Sequence, residues 1–450
     1  MSLYPRKSSA LLVLVVGALA SLPAQAQTAS ATELDELKRL IQQQQQQIEA
    51  QSRLLQQLQT RVQQLSQRPR PAAAPVQPAA TSIPPKVAQS GSKDVTLSLS
   101  GQVNRAALIL NDGESTKLFN VDNDNSSTRV RWDGRAKVSD DFKIGTRIDV
   151  QFESNSTVDV SQLDDRGVSA NNFTERKLEL WFDTALGKLS LGQGDTASNQ
   201  SAEVDLSGTN VVAYSSVIDL AGGAIFRNGT TSNLLGAAGT DIQDRNGNGK
   251  LQLGSGNGDG NDAAALTVGR VFTNFDGLSR DDRLRYDTPK FAGFTASASA
   301  IADGRWDTAL RFGGGFGPLK VAAAVAYALR PGVDRVDGSI SLLHASGLSL
   351  TFSSGGDDRT GRDPFNWYVK AGYRAKWWAL GETRFSVDYT ESRDIAVNGD
   401  EATSIGGAIV QYLDKAGTEV YVGARNYNLD RAGLNSEDIF AVLAGARVKF

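Results

Sequence analysis

From Val95 to the C-terminus the chain alternates with a period of two, charge on one face and apolar groups on the other. In "TRVRWDGRAKV", Arg129, Arg131, Asp133, Arg135 and Lys137 share one face, while Val130, Trp132, Gly134, Ala136 and Val138 share the opposite one. "FKIGTRIDVQF" repeats the arrangement: Phe142, Ile144, Ile148, Val150 and Phe152 stand against Lys143, Arg147, Asp149 and Gln151. Side chains alternate across a strand, so each such segment has one wet and one greasy surface. A soluble sandwich buries its apolar faces against each other and gives no reason for so many charges opposite them in strand after strand. About 16 segments of this kind are legible. Short turns ("DD", "ALG", "TPKFAG", "GGFGP", "ASG", "KAG") alternate roughly with longer polar loops such as "NDGESTKLFNVDNDNSS" and "GGDDRTGRDP". Pro289, Pro318, Pro331 and Pro364 all fall at breaks, where strands tolerate them. Two unlike ends and one apolar face predict an all-β transmembrane β-barrel of about 16 antiparallel strands over residues 95–450. That is the pattern of the outer membrane, with short periplasmic turns and long external loops.

The first 94 residues follow other rules. Arg6 and Lys7, the run "ALLVLVVGALASL", Pro23 and Ala24-Gln25-Ala26 form a cleavable export signal over residues 1–26. The apolar run is too short for a span of roughly 20 residues. Residues 27–68 predict an α-helical coiled coil, with Leu34, Ile41, Ile48, Leu55 and Val62 at a and Leu37, Gln44, Gln51, Leu58 and Leu65 at d. The register survives the polyglutamine run, and such a helix implies self-association. Residues 69–94 carry six of the twelve prolines and read as a semi-rigid linker.

Composition removes several functions. With no cysteine there is no disulfide, thiolate or cysteine-held metal. The single His344 has no second histidine to pair with, and no His-Ser-Asp set has usable spacing, so neither an enzyme nor a cofactor is expected. A net charge of -3 argues against nucleic acid. Asp244, Asn246 and Asn248 imitate the start of a calcium loop, but Ser255 stands where a bidentate glutamate is needed. A solvated external loop is the simpler reading there.

The stretches "LSGQVNRAALI", "NVDNDNSSTRVRWDGRAKVSDDFKIGTRIDVQF", "RKLELWFDTALGKLSLGQGDTAS" and "LRYDTPKFAGFTASASA" resemble the Gram-negative general porin family. The resemblance implies a 16-stranded barrel, a homotrimer in outer-membrane lipid, and a long third loop folded into the pore. The coil departs from the plainest members and resembles an addition found in some sugar- and carboxylate-specific porins. With both barrel termini in the periplasm, the coil would stand below the barrel and zip several copies together; peptidoglycan is a further candidate partner. The last strand, "FAVLAGARVKF", resembles the C-terminal signal that such barrels present to their assembly machinery, ending on Phe450.

If the apolar faces meet lipid, the charged faces line water. An arginine on the lipid face would cost roughly 2–4 kcal/mol near midplane and little in the lumen. The pore-lining basic residues are therefore Arg129, Arg131, Arg135, Arg147, Lys177, Arg283, Arg285 and Arg311, with Arg305, Lys370, Arg374, Arg384 and Arg425 further round the wall. The long connection at 197–282 supplies Glu203, Asp205 and Asp219 as the acidic side of a constriction. The family resemblance places Arg129, Arg131 and Arg147 opposite them. The leading expectation is a passive channel for small hydrophilic solutes that favours anions. A channel specific for sugars or carboxylates, and a structural protein tying the envelope through its coil, are the alternatives.

Overall fold

The computed structural model describes residues 86–89, 94–164, 173–242 and 265–450. The export signal, the coiled coil, most of the linker, and Asp244, Asn246 and Asn248 lie outside the described residues.

Sixteen strand positions close on themselves, each antiparallel to its neighbours. They are β1 (Val95–Asn111), β2 in two halves (Thr116–Asp122 and Arg129–Lys137), β3 (Phe142–Phe152), β4 (Phe173–Thr184), β5 (Gly187–Asp195), β6 (Arg280–Asp287), β7 (Phe294–Ile301) and β8 (Trp306–Phe316). There follow β9 (Leu319–Arg330), β10 (Val333–His344), β11 (Leu348–Asp358), β12 (Phe365–Trp378), β13 (Gly381–Arg393), β14 (Glu401–Leu413), β15 (Thr418–Asp430) and β16 (Ile439–Lys449). Residues 111–127, expected to be one polar loop, hold the upper half of β2: Phe119 and Val121 point inward while Leu118 is 71% exposed. A 3-10 turn at Asp124–Ser126 then interrupts the strand before its lower half begins.

β16 closes the barrel along β1, from Phe440 opposite Asn111 to Lys449 opposite Gln102. The last residue extends the ladder: Gly101 N donates to Phe450 O at 2.9 Å and Phe450 N to Gly101 O at 3.0 Å. Below that point a short strand, Lys86–Gln89, takes over the same edge of β1. Deleting Phe450 removes both closing bonds and bares the β1 edge. We expect a clear drop in the fraction of refolded protein that resists unfolding in SDS without heating, read on a gel.

The outer surface is apolar between two aromatic rims. Phe152 and Phe173, Trp306 and Tyr327, and Trp367 and Tyr389 pair at the long-loop end, with ring centroids 5.1, 5.4 and 5.2 Å apart. At the other end stand Phe294 against Phe312 (4.8 Å) and Trp377 against Phe385 (5.2 Å). Aromatic rings favour the two membrane interfaces, where an apolar body and a polar edge are both satisfied.

The interior is not uniformly charged. Leu108 and Leu110 of β1, Tyr368 of β12, Val410 of β14, Tyr421 and Tyr427 of β15 and Leu443 of β16 point inward and are buried. They pack on Val211, Val212, Val217, Leu220 and Phe272 of the connection between β5 and β6. The described stretches 196–226 and 265–279 of that connection lie inside the barrel and fill one sector of it. The other sector, along β2–β5, keeps its charged wall.

Candidate functional site

The inner loop begins at the end of β5 and is fastened to the wall by hydroxyls and carboxylates. Ala197 N donates to Ser299 Oγ (2.6 Å), and Ser198 N to Asp307 Oδ2 (2.8 Å). Val204 N and Leu206 N donate to Ser339 Oγ and Ser341 Oγ, each at 2.9 Å. Ser353 Oγ donates to Ala202 O (2.8 Å), and Tyr412 Oη to Gly208 O (2.8 Å). These small polar side chains satisfy a loop backbone that no strand ladder serves. At Gly208, where φ is +82°, a Cβ would strike the Arg384 side chain, so only glycine lets the loop approach β13 so closely. The loop then follows the wall to β15 and the turn that interrupts β2: Tyr427 Oη donates to Val217 O (2.7 Å), and Asn125 Nδ2 and Thr157 Oγ1 donate to Asp219 O (3.0 and 2.7 Å).

The sequence-predicted acids separate into two groups. Glu203 accepts from Asn274 Nδ2 at 3.0 Å and lies near Asp276 and Asp219. Burial and these neighbouring charges hold the Glu203 carboxyl well above the ordinary range. Asp219 is pushed up to about 8 by burial and by the charge of Asp124. Its carboxylate accepts from Tyr214 Oη, and Arg176 lies close enough to draw the pKa partly back. Asp205, only two residues from Glu203, instead sits in a buried pair with Lys370 at 2.7 Å and faces no open water. Its expected place on the constriction is thereby corrected: the loop turns that side chain into the β12 wall.

The basic wall divides in the same manner. Arg131 pairs with Asp149 (2.6 Å) and Arg147 with Asp133 (2.7 Å), directly across β2 and β3. Lys177 pairs with Asp195 and Arg283 with Glu179. Arg283 is sealed in, also donating to Gly192 O at 2.6 Å. Arg285 pairs with Asp287 at 2.7 Å, and Arg311 donates to Asn199 O of the inner loop at 2.7 Å. Arg135 is exposed near the short-turn end and makes no ion pair among the described residues. Round the wall, Arg425 is buried against Asp388 (2.5 Å), and Arg374 donates to Ser207 O (3.2 Å).

Arg129 and Arg176 lack an ion pair among the described residues, as Arg135, Arg311 and Arg374 do, but lie together beside the turn that interrupts β2. Ser126 Oγ, on the turn that interrupts β2, accepts from Gln102 Nε2 (2.8 Å), Arg447 Nη1 (2.6 Å) and Arg129 Nη2 (3.4 Å). Arg176 Nη1 donates to the adjacent Ser127 Oγ (3.2 Å) and to Gln151 Oε1, leaving its buried Nε without a partner. Arg447 is also paired with Glu419 (Nε to Oε2, 2.6 Å), so the uncompensated positive charge of this wall is that of Arg129 and Arg176. Strict alternation hides Arg176, because Lys177 already occupies the inward position. The register slips where Asp149 faces Lys177 and Val150 faces Glu175, and that bulge turns both basic side chains inward. Arg447 was within reach of the pattern, since it alternates with the outward Val448 and Ala446.

A closed antiparallel barrel with an apolar, aromatic-rimmed exterior and a charged, loop-narrowed interior defines an outer-membrane channel. Residues 72–432 match the model of the Gram-negative porin family, and the chain belongs to that family. The anion-selective porin from Comamonas acidovorans is similar in fold, with a TM-score of 0.51, 15% identity, and coverage of 79% of this chain and 100% of that one. The outer membrane channel DcaP of Acinetobacter baumannii is 14% identical, with a TM-score of 0.49 over 81% of this chain and 100% of that chain. No curated protein sequence matches the chain. Family and fold both indicate a channel for small solutes in the outer membrane, and a channel rather than an enzyme.

Proposed function

We propose that the protein is a passive porin for small hydrophilic solutes that favours anions and works as a homotrimer. The coil of residues 27–68 gathers the copies on the periplasmic side, where the short turns and both barrel termini lie. One observation carries the anion preference: Arg129 and Arg176 line the wall without carboxylate partners, while nearby Asp149 is buried and paired with Arg131. Asp219 titrates at about 8, as does Glu153 just after β3, raised by burial and by Asp124. Near pH 7 both are largely protonated, so the positive wall dominates the field across the lumen.

Single-channel recording in planar bilayers, with reversal potentials under a KCl gradient, tests this. We expect conductance in three steps and chloride preferred over potassium. The pH dependence has a definite sign. A carboxyl with a raised pKa is neutral below that value and negative above it, so the preference should fall as pH passes through about 8. A drop of several-fold, up to about ten, between pH 6 and 9 is expected from two added charges in a water-filled lumen. Cation preference at pH 7 would overturn the assignment, and absence of conductance would favour a structural anchor.

A further inference from the structure

A second arginine cluster lies at the long-loop end, away from the constriction, and it too has more positive charge than its single acid neutralises. Asp357, at the end of β11, has a fully buried side chain. Arg335 grips it with two bonds, Nε to Oδ1 at 2.6 Å and Nη2 to Oδ2 at 3.0 Å. Arg359 donates Nε to Oδ2 at 3.0 Å. Arg330, at the end of β9, reaches only to 3.6 Å, and its buried Nε has no partner. Three guanidiniums thus surround one carboxylate, leaving a net charge of about +2 by simple addition of unit charges. Arg305, also within electrostatic range of Arg330, is already paired with Asp281 at 2.5 Å.

Holding Asp357 requires no third arginine. Arg335 alone saturates it in a two-pronged geometry and also ties the strand to the inner loop through Gly277 O at 2.9 Å. Arg330 and Arg359 keep 37% and 34% of their side chains exposed; Arg359 gives Nε and Nη2 to Asp357, which leaves its Nη1 and the Nη groups of Arg330 for an acceptor at the outer mouth. Unsaturated guanidinium forks at a half-open site bind planar and tetrahedral oxyanions, which accept several N–H groups at once.

We propose that Arg330 and Arg359, seated on the Asp357–Arg335 pair, form an oxyanion capture site at the outer mouth. Its ligand carries a phosphate-like group, either a free solute or the phosphate of an outer-leaflet lipid. The site loads anions before they reach the Arg129–Arg176 wall. The proposal rests on the channel reading. A protein that conducts nothing fails that reading, whereas one that conducts with unaltered block fails only this proposal.

The experiment is block of chloride current by inorganic phosphate, added separately to the loop side and the turn side of an oriented channel. Loop-side phosphate should block at the lower concentration. The double variant Arg330→Gln, Arg359→Gln should raise the loop-side half-blocking concentration at least about five-fold, leaving turn-side block and open conductance unchanged. Retained conductance shows that the variant is folded. Repeating the measurement with lipopolysaccharide in the loop-side leaflet separates the sources. Loss of phosphate block there assigns the site to a lipid phosphate, and persistence assigns it to a free solute. Loop-side block that is absent, or unchanged in the double variant, overturns the site.

Discussion

Replacing Lys370 with methionine is expected to destabilise the barrel by about 3–5 kcal/mol, because it strands a buried charge. The Lys370 side chain is 0% exposed and that of Asp205 is 3% exposed. Nζ bonds both Asp205 Oδ2 and Ala213 O at 2.7 Å, so one ammonium ties two points of the inner loop to β12. Methionine fills much of the space but leaves the Asp205 carboxylate in a site closed to water. Urea unfolding of the refolded protein should show the loss, and single-channel records should become noisy as the loop detaches. Adding Asp205→Leu removes the stranded charge and should recover most of the stability. The exposed pair Lys137–Asp140, at 61% and 93%, serves as the contrast: breaking it should leave stability unchanged. A Lys370→Met variant as stable as its parent would mean that the loop is held by its hydroxyl contacts and apolar packing alone.

That buried pair also shows where sequence reading works and where it stops. Strand faces follow from the period of two, so Arg131, Arg147, Lys177 and Arg283 could be placed inward from the chain alone. The apolar sector left a trace as well: "AALIL" in β1 has Leu108 and Leu110 on the lumen side and Ile109 on the lipid side. A strand apolar on both faces must be covered on both, and the inner loop covers it. The loop itself follows no such period. Glu203 and Asp205 are equivalent in type and two residues apart, yet one faces Asn274 and the acidic side while the other enters the wall. Only the tertiary path of the loop separates them. Arg176 escaped for another reason, since a one-residue bulge breaks the alternation that assigns faces.

The largest functional effect should come from removing Arg129 and Arg176 together. In water a unit charge about 6 Å from a passing ion contributes about 0.7 kcal/mol, about halved by salt, so two attract chloride and repel potassium by about 0.7 kcal/mol each, a factor of about ten in the ratio. Arg129→Gln with Arg176→Gln should therefore lower the chloride-to-potassium permeability ratio about ten-fold, read from the reversal potential. Both glutamines keep hydrogen-bonding groups near Ser126, Ser127 and Gln151, so the turn that interrupts β2 retains its neighbours. Arg283→Gln supplies the internal comparison. Its guanidinium is sealed between Glu179 and the carbonyls of Gly192 and Asp195, with 2% of the side chain exposed. Breaking that pair should weaken the barrel while leaving selectivity close to that of the parent. If the double variant keeps the parental reversal potential, the paired arginines set the field, and selectivity arises from the Arg131–Asp149 and Arg147–Asp133 ladder as a whole. The two outcomes thus distinguish a filter made of uncompensated charge from one made of ordered dipoles, which the positions of the arginines alone do not separate.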